Sequence, residues 1–335
     1  MEARHYQKLE NGSVQCLLCP HFCRIAPGQT GLCRVRSNNG GRLEAQSYGR
    51  AVSLAMDPIE KKPLYHFYPG SQILSTGPNG CNLACSFCQN WEISQQEVTT
   101  EAVEPRQLVE LAVKERSVGI AFTSTEPLIW FEYLMDACPL ARQAGLKTVL
   151  VTNGTISPEP LRELLPHIDA MNIDLKSMDD GFYKNVCRGD LDTVLKTIEL
   201  SRSSCHIELT NLVIPGLNDS SRDMEALVDW VCRLDPMIPL HISRYFPRYK
   251  MDTQSTPESS LKKYYNLAKA KLKYVYVGNV QIEGTEDTYC PGCGRVLIKR
   301  SGYRISLEGL KGQDCKKCGR RADIIGLEDR GYSHH

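Results

Sequence analysis

Thr76-Gly77-Pro78-Asn79-Gly80-Cys81-Asn82-Leu83-Ala84-Cys85-Ser86-Phe87-Cys88 is the stretch on which the reading of this chain turns. Its three cysteines stand at C-x3-C-x2-C, just after the short apolar run Gln72–Ser75. A closed structural zinc site takes four ligands. Three thiolates with no evident fourth therefore describe a site with one position open. A [4Fe–4S] cluster held by three cysteines meets that description, because the fourth iron then accepts a small-molecule ligand. Glycines beside the first cysteine let the backbone wrap closely. A zinc site completed by a distant ligand, or three buried structural cysteines, fits the same spacing.

Working outward, similar apolar runs recur at Gly119–Thr123, Thr148–Thr152, Met171–Leu175, Ile207–Ile214 and Leu240–Ser243. Near-continuous runs of this length suit strands buried on both faces. Helical periodicity fills the gaps: Leu108, Leu111 and Ala112; Leu191, Val194, Leu195 and Ile198; Met224, Leu227, Val228 and Val231. Pro105, Pro158 and Pro257 each fit the first helical position, Ser220 with Asp223 resembles a capping box, and Gly145 closes a helix over 128–144. Strand–helix alternation implies a parallel sheet with right-handed crossovers. About six units predict an α/β fold, a partial (β/α)6 TIM-like barrel, since eight would need more chain.

Composition limits the function. Forty Lys and Arg against 39 Asp and Glu leave a net charge of +1, which excludes a strongly basic nucleic-acid platform. There is no apolar run long enough to span a membrane, and the opening residues show no secretory h-region. With 15 cysteines and no such signal, a reducing cytoplasmic setting is expected, where cysteines serve metals or catalysis more than disulfides.

Two further cysteine groups flank the barrel. Cys290, Cys293, Cys315 and Cys318 form C-x2-C-x21-C-x2-C, a zinc-ribbon spacing, with Val296–Lys299 and Tyr303–Leu307 as hairpin strands. So small a module depends on its metal to fold. Cys16, Cys19, Cys23 and Cys33 could close a second site, with zinc or an auxiliary Fe–S cluster, and His21 is surplus to them. The expected organisation is a four-cysteine module over 1–70, the barrel over 71–285 and the ribbon-like module over 286–335. Cys138, Cys187, Cys205 and Cys232 read as small buried residues.

The aromatic Phe87 directly before Cys88, and the wider stretch Pro78 to Trp91, resemble the radical S-adenosylmethionine (SAM) signature. With Cys-x2-Cys-Pro-His-x-Cys near the N-terminus, the chain is similar to AmmeMemoRadiSam-system radical SAM enzymes, relatives of glycyl-radical and pyruvate formate-lyase activating enzymes. The resemblance implies reductive cleavage of SAM to a 5′-deoxyadenosyl radical that abstracts hydrogen from a substrate. It further implies roles for residues at the strand ends. Thr125 and Glu126 occupy the place of a Gly-Gly-Glu motif that receives the SAM amino group, with Ser124 and Thr125 replacing its glycines. Asn153 fits a ribose or carboxylate contact. Asp174 and Lys176 look like an Asp-x-Lys pair whose lysine faces the SAM carboxylate, and Val213 and Ile214 precede a loop against the adenine. His241 and Arg244 are further expected contacts. Implied partners are a small electron donor (flavodoxin or ferredoxin) and AMMECR-type and Memo-type proteins in trans. The substrate is open: a glycyl radical protein or a small molecule. Readings from other classes are a non-catalytic metal scaffold, a nucleic-acid-binding zinc-ribbon protein and a thiol redox sensor.

Overall fold

The computed structural model describes residues 1–328. Its centre is an eight-stranded sheet: β1 (Ser53–Pro58), β2 (Gln72–Gly77), β3 (Gly119–Phe122), β4 (Lys147–Thr152), β5 (Ala170–Asp174), β6 (His206–Val213), β7 (Leu240–Arg244) and β8 (Val275–Gly278). Neighbours in sequence are neighbours in space, from β1 at one edge to β8 at the other. β2 to β8 are parallel, and β1 pairs antiparallel with β2 through Ala55 opposite Ser75. Six crossovers carry helices: α1 (Pro105–Lys114), α2 (Phe131–Gln143), α3 (Pro158–Leu164), α4 (Leu191–Arg202), α5 (Ser221–Leu234) and α6 (Glu258–Lys269). This is the expected α/β architecture of six βα units in an open sheet, closed by an extra parallel strand. The sheet takes in Ser53–Pro58, ahead of the boundary expected at residue 71.

Local sequence explains the helix ends. Pro105 and Pro158 stand in the first helical turn, where a missing N–H costs nothing. Ser220 Oγ accepts from Asp223 N at 3.1 Å. Gly145, at φ 75°, follows α2 in the left-handed conformation that ends helices. Pro257 lies one position earlier than expected, as the cap of α6.

The N-terminal module is two small antiparallel sheets, one of Tyr6–Lys8, Val14–Cys16 and Arg24–Ile25, the other the hairpin Arg36–Asn39 with Arg42–Ala45. It is locked to α2 by a fully buried ion pair, Arg36 Nη2 at 2.6 Å from both oxygens of Glu132. The C-terminal module contains the strands Val296–Ser301 and Arg304–Ser306. It seats on the N-terminal end of the barrel strands. Arg300 Nη2 donates to Tyr65 O at 2.9 Å, Ile325 N donates to His66 O at 2.8 Å, and Tyr68 N donates to Ile325 O at 2.8 Å. The described residues include no helix long and apolar enough to cross a membrane.

Candidate active site

The loop from β2 to the short helix Trp91–Gln95 carries the three central cysteines over the C-terminal ends of the strands, where such folds gather their chemistry. The loop is pinned from several sides. Asn79 Nδ2 donates to Ile93 O at 2.6 Å, Gln95 Nε2 to Leu83 O at 3.0 Å, and Asn90 Nδ2 to Ser124 O at 2.6 Å. Underneath, Ala84 N and Ser86 N donate to Cys187 O and Val186 O, so a turn of π-helix at Tyr183–Cys187 backs the loop. Phe87 is buried and packs on Phe182 at 6.0 Å between ring centres. The aromatic before the third cysteine thus serves as the loop's anchor.

Cys81, Cys85 and Cys88 share one cavity of about 320 Å³ with Thr125, Glu126, Asn153, Asp174 and Lys176. That is the lower end of the usual range for a small-molecule site. Sulfur contacts already present suit an iron–sulfur group: Leu83 N lies 3.3 Å from Cys81 Sγ, and Ser94 Oγ 3.2 Å from Cys88 Sγ. Burial, with the Glu126 charge, pushes the Cys81 thiol well up, so these sulfurs ionise when a cation binds them. Cys187 touches Cys85 from behind, as the partner that raises its thiol most.

Glu126 is 1% exposed and tightly engaged. Its carboxylate accepts from Thr152 Oγ1 at 2.6 Å, Asn153 N at 2.7 Å and Leu128 N at 3.0 Å. Burial nevertheless pushes its pKa up to about 7. Thr125 Oγ1 donates to Pro78 O at 2.6 Å, tying this turn to the cysteine loop. Ser124 has φ 72°, the left-handed conformation that favours glycine. Asn153 Nδ2 points at Asn82 Oδ1, 3.0 Å, and Cys81 Sγ, 3.6 Å.

Asp174 ends β5, and its carboxylate accepts from Lys176 Nζ at 2.7 Å. Burial pulls the Lys176 ammonium down, but Asp174, Cys85 and Cys187 outweigh it and hold it well above the usual lysine value. The Lys176 carbonyl accepts from Asn218 Nδ2 at 2.6 Å and Asn211 Nδ2 at 3.1 Å. The Pro215–Asp219 segment therefore fixes the lysine backbone from outside.

Four expected contacts lie elsewhere. His241 is the second residue of β7 and sits in the barrel floor. Its Nε2 is 2.7 Å from Glu208 Oε2, and its ring packs on Tyr65 and Tyr276. Arg244 lies over the Phe246 ring at 5.1 Å and 3.9 Å from Glu258. Val213 and Ile214 are fully buried. Alternation along β6 turns Thr210 and Leu212 to the cavity and Val213 away from it. Leu212, Thr210, Ser243 and Asn279 line the cavity without having been singled out from sequence. The period-two face of each strand carried that signal.

The C-terminal cysteines converge fully: the four sulfurs lie within 4.8 Å of one another, with Cys290–Cys318 and Cys293–Cys315 each at 3.6 Å. A tetrahedral ion with Zn–S near 2.3 Å spaces its sulfurs about 3.8 Å apart. Burial raises the Cys315 thiol, but backbone groups of Cys318 and Lys317 and the Cys293 side chain outweigh it and hold it at about 6, which favours the thiolate a metal needs.

Comparison with known proteins agrees with this geometry. The model of the radical SAM superfamily matches residues 76–231. An uncharacterized protein of Methanocaldococcus jannaschii is 43% identical over 97% of this chain and 99% of its own. A pyruvate formate-lyase-activating enzyme of Clostridium pasteurianum is 28% identical over 45% of this chain and 65% of its own length. In fold, a radical SAM methyltransferase from Sphaerobacter thermophilus aligns with a TM-score of 0.50 at 14% identity, covering 63% of this chain and 67% of that one.

Proposed function

From the premise that residues 76–231 of this chain match the radical SAM superfamily, we propose that the cavity behind Cys81, Cys85 and Cys88 binds SAM through the side chains gathered around it. Cys81, Cys85 and Cys88 would hold a [4Fe–4S] cluster, which once reduced would supply the one electron that cleaves the C5′–S bond of SAM to methionine and a 5′-deoxyadenosyl radical able to take hydrogen from the substrate. The Lys176 ammonium faces the SAM carboxylate, and Asp174 holds it in place. Glu126 and Asn153 receive the methionyl amino group and ribose, with Thr125 fixing their loop. Leu212 and Thr210, in place of Val213 and Ile214, offer the adenine its wall. The observation that carries this reading is the meeting of three cysteines, a buried lysine–aspartate pair and a buried carboxylate in one cavity at the strand ends.

The finer placement is the AmmeMemoRadiSam group, with AMMECR-type and Memo-type proteins as partners in trans, a flavodoxin or ferredoxin as electron donor, and zinc on Cys290, Cys293, Cys315 and Cys318. The similarity to activating enzymes supports hydrogen abstraction from a protein glycine as the second reading of the substrate. The test is anaerobic reconstitution with iron and sulfide, reduction by dithionite and addition of SAM. The protein should release 5′-deoxyadenosine, and the C81A/C85A/C88A variant none. Equal yields from both sink the proposal. Deuterium recovered in 5′-deoxyadenosine from labelled extract fractions identifies the hydrogen donor.

A further inference from the structure

The N-terminal cysteines make a site of their own. Cys16, Cys19, Cys23 and Cys33 line one small enclosed cavity with Arg36, His21 and Ile129. Cys16 ends a strand and its N–H donates to Cys23 O at 3.0 Å, so the chain folds back on itself to bring the four together. Burial pushes the Cys19 thiol up to about 12 and raises Cys16 and Cys33 as well. Cys16 and Cys33 are buried and Cys19 and Cys23 half-buried, so the four thiols gather at a largely enclosed spot beside the central cysteine loop.

Two observations select the occupant. The first is spacing. Among the described residues, the C-terminal quartet is the group whose donors converge as a single-ion site. The N-terminal quartet surrounds a shared cavity without converging in that way, and so does the Cys81–Cys85–Cys88 trio. A four-iron cluster gives each cysteine its own iron, which holds the sulfurs farther apart than a tetrahedral zinc does. The second is an orphaned donor. Arg36 is 1% exposed and spends its Nη groups on Glu132 and Arg4 O, but its buried Nε–H has no acceptor among the described residues. An unpaired buried donor is costly. A thiolate or sulfide of an anionic metal–sulfur group in the cavity that Arg36 lines would satisfy it, and hydrogen bonds to sulfur are a known part of such sites.

We propose that Cys16, Cys19, Cys23 and Cys33 hold a second [4Fe–4S] cluster, with the Arg36 Nε–H as its buried hydrogen-bond donor. The site is in direct contact with the central loop, since His21 Nε2 lies 2.6 Å from the carbonyl oxygen of Asn82, between Cys81 and Cys85. The placement is independent of whether the central cavity binds SAM.

Metal and sulfide analysis of the full chain, reconstituted anaerobically with iron and sulfide in the presence of zinc, tests it. The C81A/C85A/C88A variant should retain about four iron and four sulfide per chain, with a reduced-cluster EPR signal. One additional zinc in their place overturns the proposal. If that variant does not fold, C19S/C23S in the otherwise native chain decides. It should lose about half of the chain's iron, whereas loss of one zinc with iron unchanged is the contrary result. A native chain holding only about four iron, all lost with C81A/C85A/C88A, refutes the second cluster and leaves the central one standing.

Discussion

Lys176 keeps a charge in surroundings that alone would remove it. Desolvation favours the neutral amine, and Asp174 at 2.7 Å, with the cysteine sulfurs, reverses the balance. A lysine held charged in a cavity and fixed through its backbone carbonyl is prepared to meet an anionic ligand. Replacing it should be felt in binding more than in folding. Lys176→Met in the cluster-loaded protein is expected to weaken SAM binding about 10- to 100-fold, the size of a charge-assisted hydrogen bond. Isothermal titration reads it directly. An unchanged affinity would make the pair a structural ion pair at a strand end. The family resemblance brought out this pair in the sequence, and alternation along the strand put both residues on one side, where they meet at 2.7 Å. His241 misled for the opposite reason. A histidine near a strand end is polar in the sequence, but the register places it at the start of β7 beside Glu208.

At the scale of elements, the cysteine loop depends on close backbone approach. Gly80 has φ 100°, and a Cβ built there would lie 2.6 Å from Cys33 O and 3.2 Å from Val35. Both the conformation and the space exclude a side chain, and the obstacle is backbone that cannot swing aside. Gly80→Ala should therefore push the loop off the N-terminal module, costing about 2–4 kcal/mol. The expected signature is a lower melting temperature together with lower iron content, whereas a variant that melts like the native chain contradicts the contact. Periodicity located six of the parallel strands within a residue or two, because strands buried on both faces are written as continuous apolar runs. It missed β1, whose Ser-Leu-Ala-Met-Asp-Pro is an exposed-edge sequence with one partner strand, and β8, only four residues long. The resemblance, not periodicity, put Val213 and Ile214 beside the adenine loop, whereas the pleat turns Leu212 to the cavity, because a resemblance marks a loop but the register decides which side chain faces in.

Across the whole molecule, the two ends of the barrel do different work. The strand C-termini carry the cysteine cavity, while the N-terminal end is closed by a buried polar network that receives the C-terminal module. Glu208 is fully buried, accepts from His66 N at 2.7 Å, and lies 3.0 Å from His206 Nε2 and 2.7 Å from His241 Nε2. Burial alone would raise its carboxyl, but the two histidines hold it well below the usual range. His66 bridges to the module. Its Nδ1 is 2.7 Å from Asp323 O, a carbonyl that can only accept, so that nitrogen carries the proton and Nε2 accepts from the Tyr276 hydroxyl at 2.6 Å. Burial pushes the His66 pKa from 6.5 down to about 4. Between those values the unfolded chain binds the proton and the folded chain does not, so stability present above pH 6.5 is lost as pH falls toward 4. The shift corresponds to about 3 kcal/mol as an order of magnitude. His66→Gln keeps a donor and an acceptor but cannot titrate, so its melting temperature should decline less steeply than the native protein's from pH 6.5 to 4. Protonation of the C-terminal cysteines, and of any metal site they form, acts on both proteins and cancels in the comparison. Parallel curves would mean that His66 takes up its proton in the folded state and that the barrel floor is not the dry joint described here. A native curve that falls faster, with hydrogen exchange rising first at the strands Val296–Ser301 and Arg304–Ser306, would locate the acid-sensitive joint between the barrel and its C-terminal module.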